Sequence, residues 1–321
     1  MYDICIINDL EQCRDVWKRT VPRETVWDIW EFRACFQEHF QRPACFFITT
    51  ENSHGFTEIL PLSWIEESQR YGYFPGETWK DKTWLEQNRI PADNEILDVM
   101  LDHCPGPYYL RYLLPSLKSA SQNQCVVDEI NYSFRPSDYN YDIENYFQQF
   151  SKKSAKSIKR EIASLQIGAC YRYDEIGDFE HLVQLNVNNF GDQSYFYDPR
   201  FRESFRTLMH YLNEKGWLRI TTVLINGDIA AVDIGCVYCG VYTLLGGGTN
   251  RDYPGVAKLI NLHHMQRGCR ERLNLIDFLC GDFSWKQKFH LTERPLYLLS
   301  NCSTEIHPSE DLELRGAGYV K

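Results

Sequence analysis

Apolar and polar positions alternate most regularly in the second half of the chain, where they first predict helices. In the segment 152–165, KKSAKSIKREIASL, apolar side chains share one face at helical spacing and basic side chains share the opposite face. Further helices are predicted over Phe179–Phe190 and over Phe201–Lys215, the latter ending before Gly216.

Three strands are predicted next, as an antiparallel meander. They cover Leu218–Ile225, Ile229–Tyr238 and Val241–Leu245. Asn226-Gly227 and Cys239-Gly240 join them, and Asn-Gly between two apolar runs is the strongest short hairpin signal.

The stretch after the third strand is the most informative one. Gly246–Gly248 predict a glycine-rich turn, and Pro254-Gly255 opens an amphipathic helix. A helix that begins just after such a turn presents backbone N–H groups and the positive end of its dipole. We therefore expect a cradle for the phosphate or pyrophosphate of a phosphorylated carrier.

A short buried strand, Leu275–Phe278, follows this helix. Because a helix reaches it, the strand is expected to lie parallel to the third meander strand. A short helix near Ser284–Phe289 and a last strand, Pro295–Leu299, complete this part of the chain.

The first half carries a fainter version of the same plan. Strands are predicted over Ala44–Thr50 and Phe56–Trp64, around an Asn-Ser-His-Gly turn. Arg70–Phe74 then leads into Pro75-Gly76, and a helix is predicted from Lys82.

This recurrence predicts two related domains, 1–140 and 141–321. Their join is placed in Phe134–Tyr141, whose Pro, Ser, Asp and Asn residues favour irregular structure.

Composition narrows the class of protein. The 321 residues are 43% hydrophobic and 24% charged, as in soluble globular proteins of about two domains. The net charge of −10 argues against DNA or another chain-wide polyanion as partner, although a local basic site stays possible. The sequence shows no apolar run of about 18 residues and no signal-peptide pattern at its start. We expect a cytoplasmic protein without a membrane span.

Twelve cysteines are scattered through predicted strands and helices, which favours reduced and mostly buried thiols. One CxxC pair, Cys236 and Cys239, lies at a strand end, where positions three apart face opposite sides. We therefore expect no metal site.

The order meander, glycine turn, helix and parallel strand resembles the core of the GNAT acyltransferase fold. The segment 252–257 resembles the acyl-CoA signature Gln/Arg-x-x-Gly-x-Gly/Ala of that family. Gly255 and Ala257 fit, whereas Asp252 stands where Gln or Arg is usual and Arg251 precedes it. An acid there would repel phosphate unless it points away.

The chain looks more like one branch of that superfamily, the two-lobed Fem-like proteins that include cellulose-biosynthesis (CelD-like) acetyltransferases of bacteria. The segments KSIKREIASL, INGDIAAVDIGCVY and DFLCGDFSWKQKF carry this resemblance. It covers Tyr146–Leu299 well and the first lobe only in outline. It implies an α/β fold of tandem GNAT-like domains with mostly antiparallel central sheets flanked by helices, the first domain being degenerate.

The resemblance also implies an activity, the transfer of an acyl group from acetyl-CoA or another acyl-CoA to an amine. The acyl-CoA would be a co-substrate and no metal would take part. Backbone N–H groups of the third meander strand would polarise the acyl carbonyl, and the helix start would hold the carrier. The residues implied are Leu245, Gly246, Gly247, Gly248, Arg251, Gly255, Val256 and Ala257. The other reading of the glycines is a turn that only joins strand to helix.

Three residues are candidates for the chemistry itself. Lys286 either stabilises an oxyanion or a substrate anion, as its position in the family pattern implies, or is a solvated helix lysine. Asp277 ends a buried strand, as an active-site group or as a turn-stabilising carboxylate. Tyr297 either protonates the leaving thiolate or packs in the core.

Arg160 and Lys156, on the basic helix face, either grip an anionic acceptor or carrier or belong to a solvated face. Trp285, beside Lys286, is grouped with them as substrate-binding. His263 falls on the apolar stripe of the helix after Gly255 and is expected to be a core histidine.

The acceptor is expected to be a small molecule or a cell-envelope precursor that carries an amine. Two other functions stay open. One is transfer from aminoacyl-tRNA, against which the acidic charge and the lack of a long helical arm count. The other is a non-catalytic GNAT-fold binding module, which the unusual Asp252 leaves possible.

Overall fold

The computed structural model describes residues 3–49, 58–115, 125–281 and 284–302. The chain divides into two compact units, each made of three segments. Unit 1 comprises Met1–Ile130, Asp198–Tyr211 and Pro295–Pro308. Unit 2 comprises Asn131–Tyr197, Leu212–Arg294 and Ser309–Lys321.

The first elements of the chain build most of unit 1. They are β1 (Ile4–Ile7), α1 (Leu10–Thr20), α2 (Trp30–Phe40), β2 (Ala44–Thr49), β3 (Ile59–Ile65), β4 (Arg70–Tyr73), β5 (Thr78–Trp79), β6 (Lys82–Thr83), α3 (Asn94–Asp102) and β7 (Tyr109–Leu113). Strands β1, β2, β3 and β4 form an antiparallel sheet in that order. Its core is rich in rings, with Trp30 stacked on Phe74 at a centroid distance of 4.8 Å.

The remaining elements build unit 2 and return twice to unit 1. They are β8 (Cys125–Phe134), α4 (Ile143–Phe147), α5 (Lys152–Gln166), β9 (Ala169–Tyr173), α6 (Asp178–Phe190), α7 (Pro199–Glu214), β10 (Leu218–Ile225), β11 (Asp228–Tyr238), β12 (Val241–Thr249), α8 (Val256–Arg270), β13 (Leu275–Asp277), α9 (Ser284–Lys288) and β14 (Thr292–Ser300).

In unit 2, the strands lie in the order β9, β10, β11, β12, β13 and the end of β8. The pairing is antiparallel except between β12 and β13, which are parallel. The predicted meander, the helix after Pro254 and the parallel orientation of the following strand are therefore confirmed.

Local chemistry explains why these elements form where they do. Ser151 caps α5, its hydroxyl accepting a hydrogen bond from the Ser154 N–H at 3.1 Å. Asn226 and Gly227 adopt φ of 53° and 93°, as a hairpin turn of type I′ requires. The first hairpin of the meander is thus set by two residues.

The first half of the chain differs from the sequence prediction after β5. The helix predicted from Lys82 is wrong, because Lys82 lies in β6 of a short hairpin and the next helix is α3. The carboxylate of buried Glu77 accepts hydrogen bonds from the Trp84 and Leu85 N–H groups, which fixes this stretch as non-helical. The predicted turn at 52–55 lies outside the described residues.

The predicted join Phe134–Tyr141 lies inside unit 2, which begins at Asn131. Division of the chain into domains 1–140 and 141–321, with the first a degenerate GNAT-like lobe, stays a proposal.

Candidate functional site

Strand β12 contains a bulge in the middle of its pairing with β11. Ile234 lies opposite Gly246 and Gly235 lies opposite Leu244, so Leu245 is an extra residue without a Cα partner on β11. A bulge of this kind bends a strand and redirects the backbone groups that follow it.

Strand β12 also outruns its parallel neighbour. The register with β13 runs from Val241–Leu275 to Thr243–Asp277, where β13 ends. Strand β12 continues for six more residues, to Thr249. Its backbone beyond Thr243, which includes the bulge, therefore has no partner residue on β13.

The three glycines belong to β12 and do not form the predicted turn, so that prediction was wrong. Gly246, Gly247 and Gly248 pair with Ile234, Asp233 and Val232 of β11 in that order. Glycine is required for a different reason, because helix α6 packs closely on this strand. A Cβ at Gly248 would lie 2.9 Å from both the Leu182 carbonyl oxygen and the Leu185 Cβ.

Helix α6 is fastened to the same stretch by side-chain amides. The Asn186 Nδ2 donates to the Gly247 carbonyl at 2.9 Å, and the Asn189 Nδ2 donates to the Thr249 carbonyl at 2.8 Å. These two carbonyls face α6, so the glycine stretch has a fixed position.

Helix α8 begins in the manner expected of an anion site. Gly255 is its N-cap residue with φ of 89°, a conformation that side chains disfavour. Asp252 is exposed and its N–H donates to Asn250 Oδ1. Arg251 donates to the Asn189 carbonyl at 2.8 Å. The turn before α8 is thereby fastened to the end of α6.

A side chain of α5 reaches the start of α8. The Lys258 Nζ donates to both oxygens of Glu161, at 2.7 and 2.9 Å. A Cβ at Gly255 would lie 2.8 Å from the Glu161 Oε1 and 3.1 Å from the Leu165 Cδ1. The carboxylate therefore lies directly against the glycine where α8 begins.

Asp277 is buried at the carboxyl end of β13. Its Oδ1 accepts hydrogen bonds from the Asn131 Nδ2 at 2.8 Å and the Leu279 N–H at 2.9 Å. The second bond is the local turn that an aspartate makes with the residue two positions on. These contacts hold the loop that follows β13.

Lys286 is also buried, at 2% exposure. Its Nζ donates to the carbonyls of Phe278, Leu279 and Cys280 at 2.9, 2.9 and 2.8 Å. The ammonium has three donors, and all three hold this same loop. Asp277 and Lys286 thus act together on one loop, and their predicted catalytic roles stay proposals.

The other predicted residues are distributed around these elements. Trp285 is buried beside Phe278, at a centroid distance of 5.7 Å. Lys156 and Arg160 are exposed on α5. Tyr297 lies on the segment of β14 that belongs to unit 1, where it pairs with Leu113. Asp282, a weaker alternative to Asp277, lies outside the described residues.

The histidines of α8 belong to the packed interior. His263 stacks on Tyr171 at a centroid distance of 4.0 Å, and burial together with the neighbouring His264 lowers its pKa to about 3. The His264 Nε2 lies 2.9 Å from the buried Asp233 Oδ2. These contacts support the prediction of a core histidine at His263.

All twelve cysteines lie within the described ranges and are free thiols. Among the residues that the structure describes, no group of three or more His, Cys, Asp or Glu side chains is placed to hold a metal ion. Across the same ranges, no helix has both the length and the apolar character that crossing a membrane requires.

The second half of the chain is similar to a known protein family. Residues 152–287 match the family model of the acetyltransferase (GNAT) domain. No curated protein matches the sequence.

Solved structures share the fold across nearly the whole chain. L-PGS from Bacillus licheniformis matches with 10% identity over 97% of this chain and 98% of that chain, at a TM-score of 0.57. FemX matches with 9% identity over 92% and 96%, at 0.56. A conserved protein of unknown function from Bacteroides thetaiotaomicron VPI-5482 matches with 11% identity over 93% and 99%, at 0.57.

Residues 152–287 are therefore similar to the GNAT acetyltransferase domain, and the chain shares its fold with FemX. The predicted α/β class, with mostly antiparallel sheets flanked by helices, is confirmed, and the resemblance to Fem-like proteins is confirmed at the level of the fold.

Two residues that the structure brings to this site were missed in the sequence. Glu161 lies three residues after Ile158 and four before Leu165, so it is a lone acid at the edge of the apolar face of α5. An acid at that position indicates a carboxylate that packs against a neighbouring element, so Glu161 could have been found from the sequence. Asn131, which holds Asp277, precedes β13 by more than 140 residues, and no local pattern connects the two.

Proposed function

We propose that the chain is an N-acyltransferase that moves an acyl group, in the first instance acetyl, from acyl-CoA to an amine. The observation that carries the proposal is the extension of β12, with its bulge at Leu245, beyond the end of β13, together with the glycine start of α8. The GNAT match of residues 152–287 supports the same class of reaction.

In the proposed reaction the amine nitrogen attacks the thioester carbonyl carbon. A C–N bond forms, the C–S bond breaks, and the proton lost by the amine ends on the CoA thiol. The contribution of the chain would be to position the thioester along β12 and to stabilise the oxyanion with main-chain N–H groups of Leu245–Gly248.

Asp277 and Lys286 enter the proposal through the loop behind β13. Their hydrogen bonds fix Phe278, Leu279 and Cys280 directly after the end of β13, beside which β12 continues. We assign them the task of holding that edge of the donor site. A direct contact of Lys286 with substrate would require it to give up a carbonyl.

The acceptor side is proposed on α5. Lys156 and Arg160 are exposed there, whereas Lys159 is already paired with Glu144. Two cations on one exposed face suit an amine acceptor that also carries a phosphate or carboxylate, such as a small molecule or a cell-envelope precursor. A cytoplasmic setting remains part of the proposal.

The donor can be tested by thermal unfolding of the full chain with acetyl-CoA, longer acyl-CoAs and CoA. A ligand of the native state stabilises it by about 2.7 kcal/mol at 100 times its Kd, so a saturable rise of the midpoint is expected. Ala257→Glu places a carboxylate in the first turn of α8 and should reduce the shift, whereas the matched Ala257→Gln should keep most of it.

Absence of any shift with every acyl-CoA would overturn the proposed donor. A shift with aminoacyl-tRNA in its place would identify the Fem-like alternative. Saturable binding of acyl-CoA without release of free thiol, when a panel of amines is supplied, would favour a binding module.

A further inference from the structure

The start of α8 is covered by a group from the protein itself. The Glu161 carboxylate of α5 lies against Gly255 and accepts two hydrogen bonds from Lys258, in the first turn of α8. Only glycine leaves room for it, since a Cβ at residue 255 would approach the Glu161 Oε1 to 2.8 Å.

The electrostatics of this arrangement resemble those of a bound anion. The N-terminus of a helix carries a partial positive charge that favours a negative group. Gly255 has no side chain to satisfy that preference, and Glu161 supplies the nearby negative charge while Lys258 balances it. The chain thus holds its own carboxylate where the proposed donor would place a pyrophosphate.

A second anion at this position would meet strong repulsion. Two like charges about 4 Å apart repel by about 1 kcal/mol in water and about 4 kcal/mol near a protein surface. The Glu161 and Lys258 side chains are 36% and 40% exposed, so the lower part of that range applies. The carrier must therefore move Glu161 aside and take over Lys258.

A matched ion pair lies elsewhere on the same helix. Lys159 of α5 pairs with Glu144, and both side chains are more exposed than those of Glu161 and Lys258. That pair contacts the Phe147 ring and involves the first turn of α4, not that of α8. It has the same charges as the Glu161–Lys258 pair but does not include the start of α8, so it is the natural control.

We infer that Glu161 is a specificity-determining residue of the donor site: paired with Lys258, it closes the start of α8 to anions until a carrier phosphate takes its place. This inference rests on the proposed function. The affinity of the site for the carrier would then be set by competition between the Glu161 carboxylate and the carrier phosphate for Lys258. Weakly anionic carriers would bind less tightly, because they compete less well with the carboxylate for Lys258.

The test compares wild type with Glu161→Gln, which keeps the shape and removes the charge. Titration calorimetry with CoA should give a Kd lower by about tenfold for E161Q, the value of about 1.4 kcal/mol of lost repulsion. Glu144→Gln, the control, should leave the Kd within about twofold because its pair does not include a residue of the first turn of α8. The double variant Glu161→Gln with Lys258→Gln should lose the gain, since no cation remains for the phosphate.

Inorganic pyrophosphate is titrated in parallel, because it probes the anion site without the rest of the carrier. If CoA binds wild type and E161Q equally, the inference is overturned and the proposed donor stands. If neither binds CoA while E161Q binds pyrophosphate more tightly than wild type, the role of Glu161 stands and the proposed donor fails.

If neither variant binds CoA or pyrophosphate, both proposals are overturned. Circular dichroism and urea midpoints establish that each variant is folded. Glu161→Asp is the second variant, because it keeps the charge on a shorter side chain and is expected to bind CoA like wild type or more weakly.

Discussion

Lys286 illustrates how burial decides what a charged residue does. An ammonium at 2% exposure must satisfy each of its donors inside the protein, and here three main-chain carbonyls do so. The same bonds supply a donor to three carbonyls beside the end of β13, of which the Leu279 carbonyl also accepts the Tyr132 N–H. The ammonium of Lys286 therefore stabilises the loop of residues 278–280.

Replacing this residue should destabilise the protein. Lys286→Met keeps the length of the side chain and removes this donor from the Phe278 and Cys280 carbonyls, while the Leu279 carbonyl keeps the Tyr132 N–H. The free energy of unfolding should therefore fall by about 2 kcal/mol. Lys288→Met, on the exposed side of the same helix, should change it by less than about 0.5 kcal/mol. Urea unfolding of both variants measures the difference. If both variants are as stable as wild type and only K286M loses turnover, Lys286 takes part directly in catalysis.

His263 makes the stability of the fold depend on pH. Burial is the main cause that lowers its pKa to about 3 from 6.5, and the nearby His264, Arg270 and Arg267 add to it. Between these values the unfolded chain binds a proton at this residue and the folded chain does not. Stability is therefore full above about pH 6.5 and falls as the pH decreases, by up to about 1.4 kcal/mol per pH unit.

His263→Gln should reduce this slope between about pH 5 and pH 6.5, whereas His181→Gln, on an exposed position of α6, should keep it. Urea unfolding at several pH values measures both slopes. An unchanged slope in H263Q would contradict neutral burial of His263.

Among the secondary-structure elements, the contact between β12 and α6 is the most closely fitted. Gly248 lets the helix approach, while Asn186 and Asn189 fasten it to the Gly247 and Thr249 carbonyls. The strand that is proposed to bind the acyl donor is thus held from one side by a helix and continues past β13 on the other.

Gly248→Ala should reduce the free energy of unfolding by about 1–3 kcal/mol, because its Cβ would overlap the Leu182 carbonyl and the Leu185 Cβ. The control is Gly177→Ala at the start of α6. There φ is −60° and the nearest heavy atom to a Cβ is the Glu175 Oε1 at 3.5 Å. G177A should be neutral or slightly stabilising. If G248A unfolds at the same urea concentration as wild type, the close fit is refuted.

At the same scale, sequence patterns succeeded wherever the structure is set by local signals. The amphipathic pattern and Ser cap of α5 and the Asn226-Gly227 turn are signals of this kind. The glycines of β12 were misread because their cause is α6, which lies about 60 residues earlier in the chain. A run of glycines indicates a turn and a close approach equally well.

The whole molecule is organised by exchanges that no local pattern reveals. Unit 1 takes Asp198–Tyr211 and Pro295–Pro308 from the second half of the chain. In unit 1, Phe201 and Phe205 of α7 pack on Trp84, at centroid distances of 5.6 Å each. These packing partners are more than 100 residues apart in the chain, so no local pattern connects them.

The candidate site shows the same division. The order of β12, α8 and β13 and the glycine at residue 255 followed from the sequence and its resemblance to GNAT proteins. The pairing of Glu161 with Lys258, and the use of Lys286 as a loop support, depend on packing between distant segments. These contacts change the description of the site from an open phosphate cradle to one already holding a carboxylate.

The most direct test of the acyl-CoA proposal is hydrogen–deuterium exchange of the full chain with and without acetyl-CoA. With acetyl-CoA bound, we predict slower exchange at the amides of Leu244–Thr249 and at the first turn of α8, beginning at Val256. Protection confined to other segments, or no change at saturating acetyl-CoA, would contradict the assignment of β12 and α8 as the donor site.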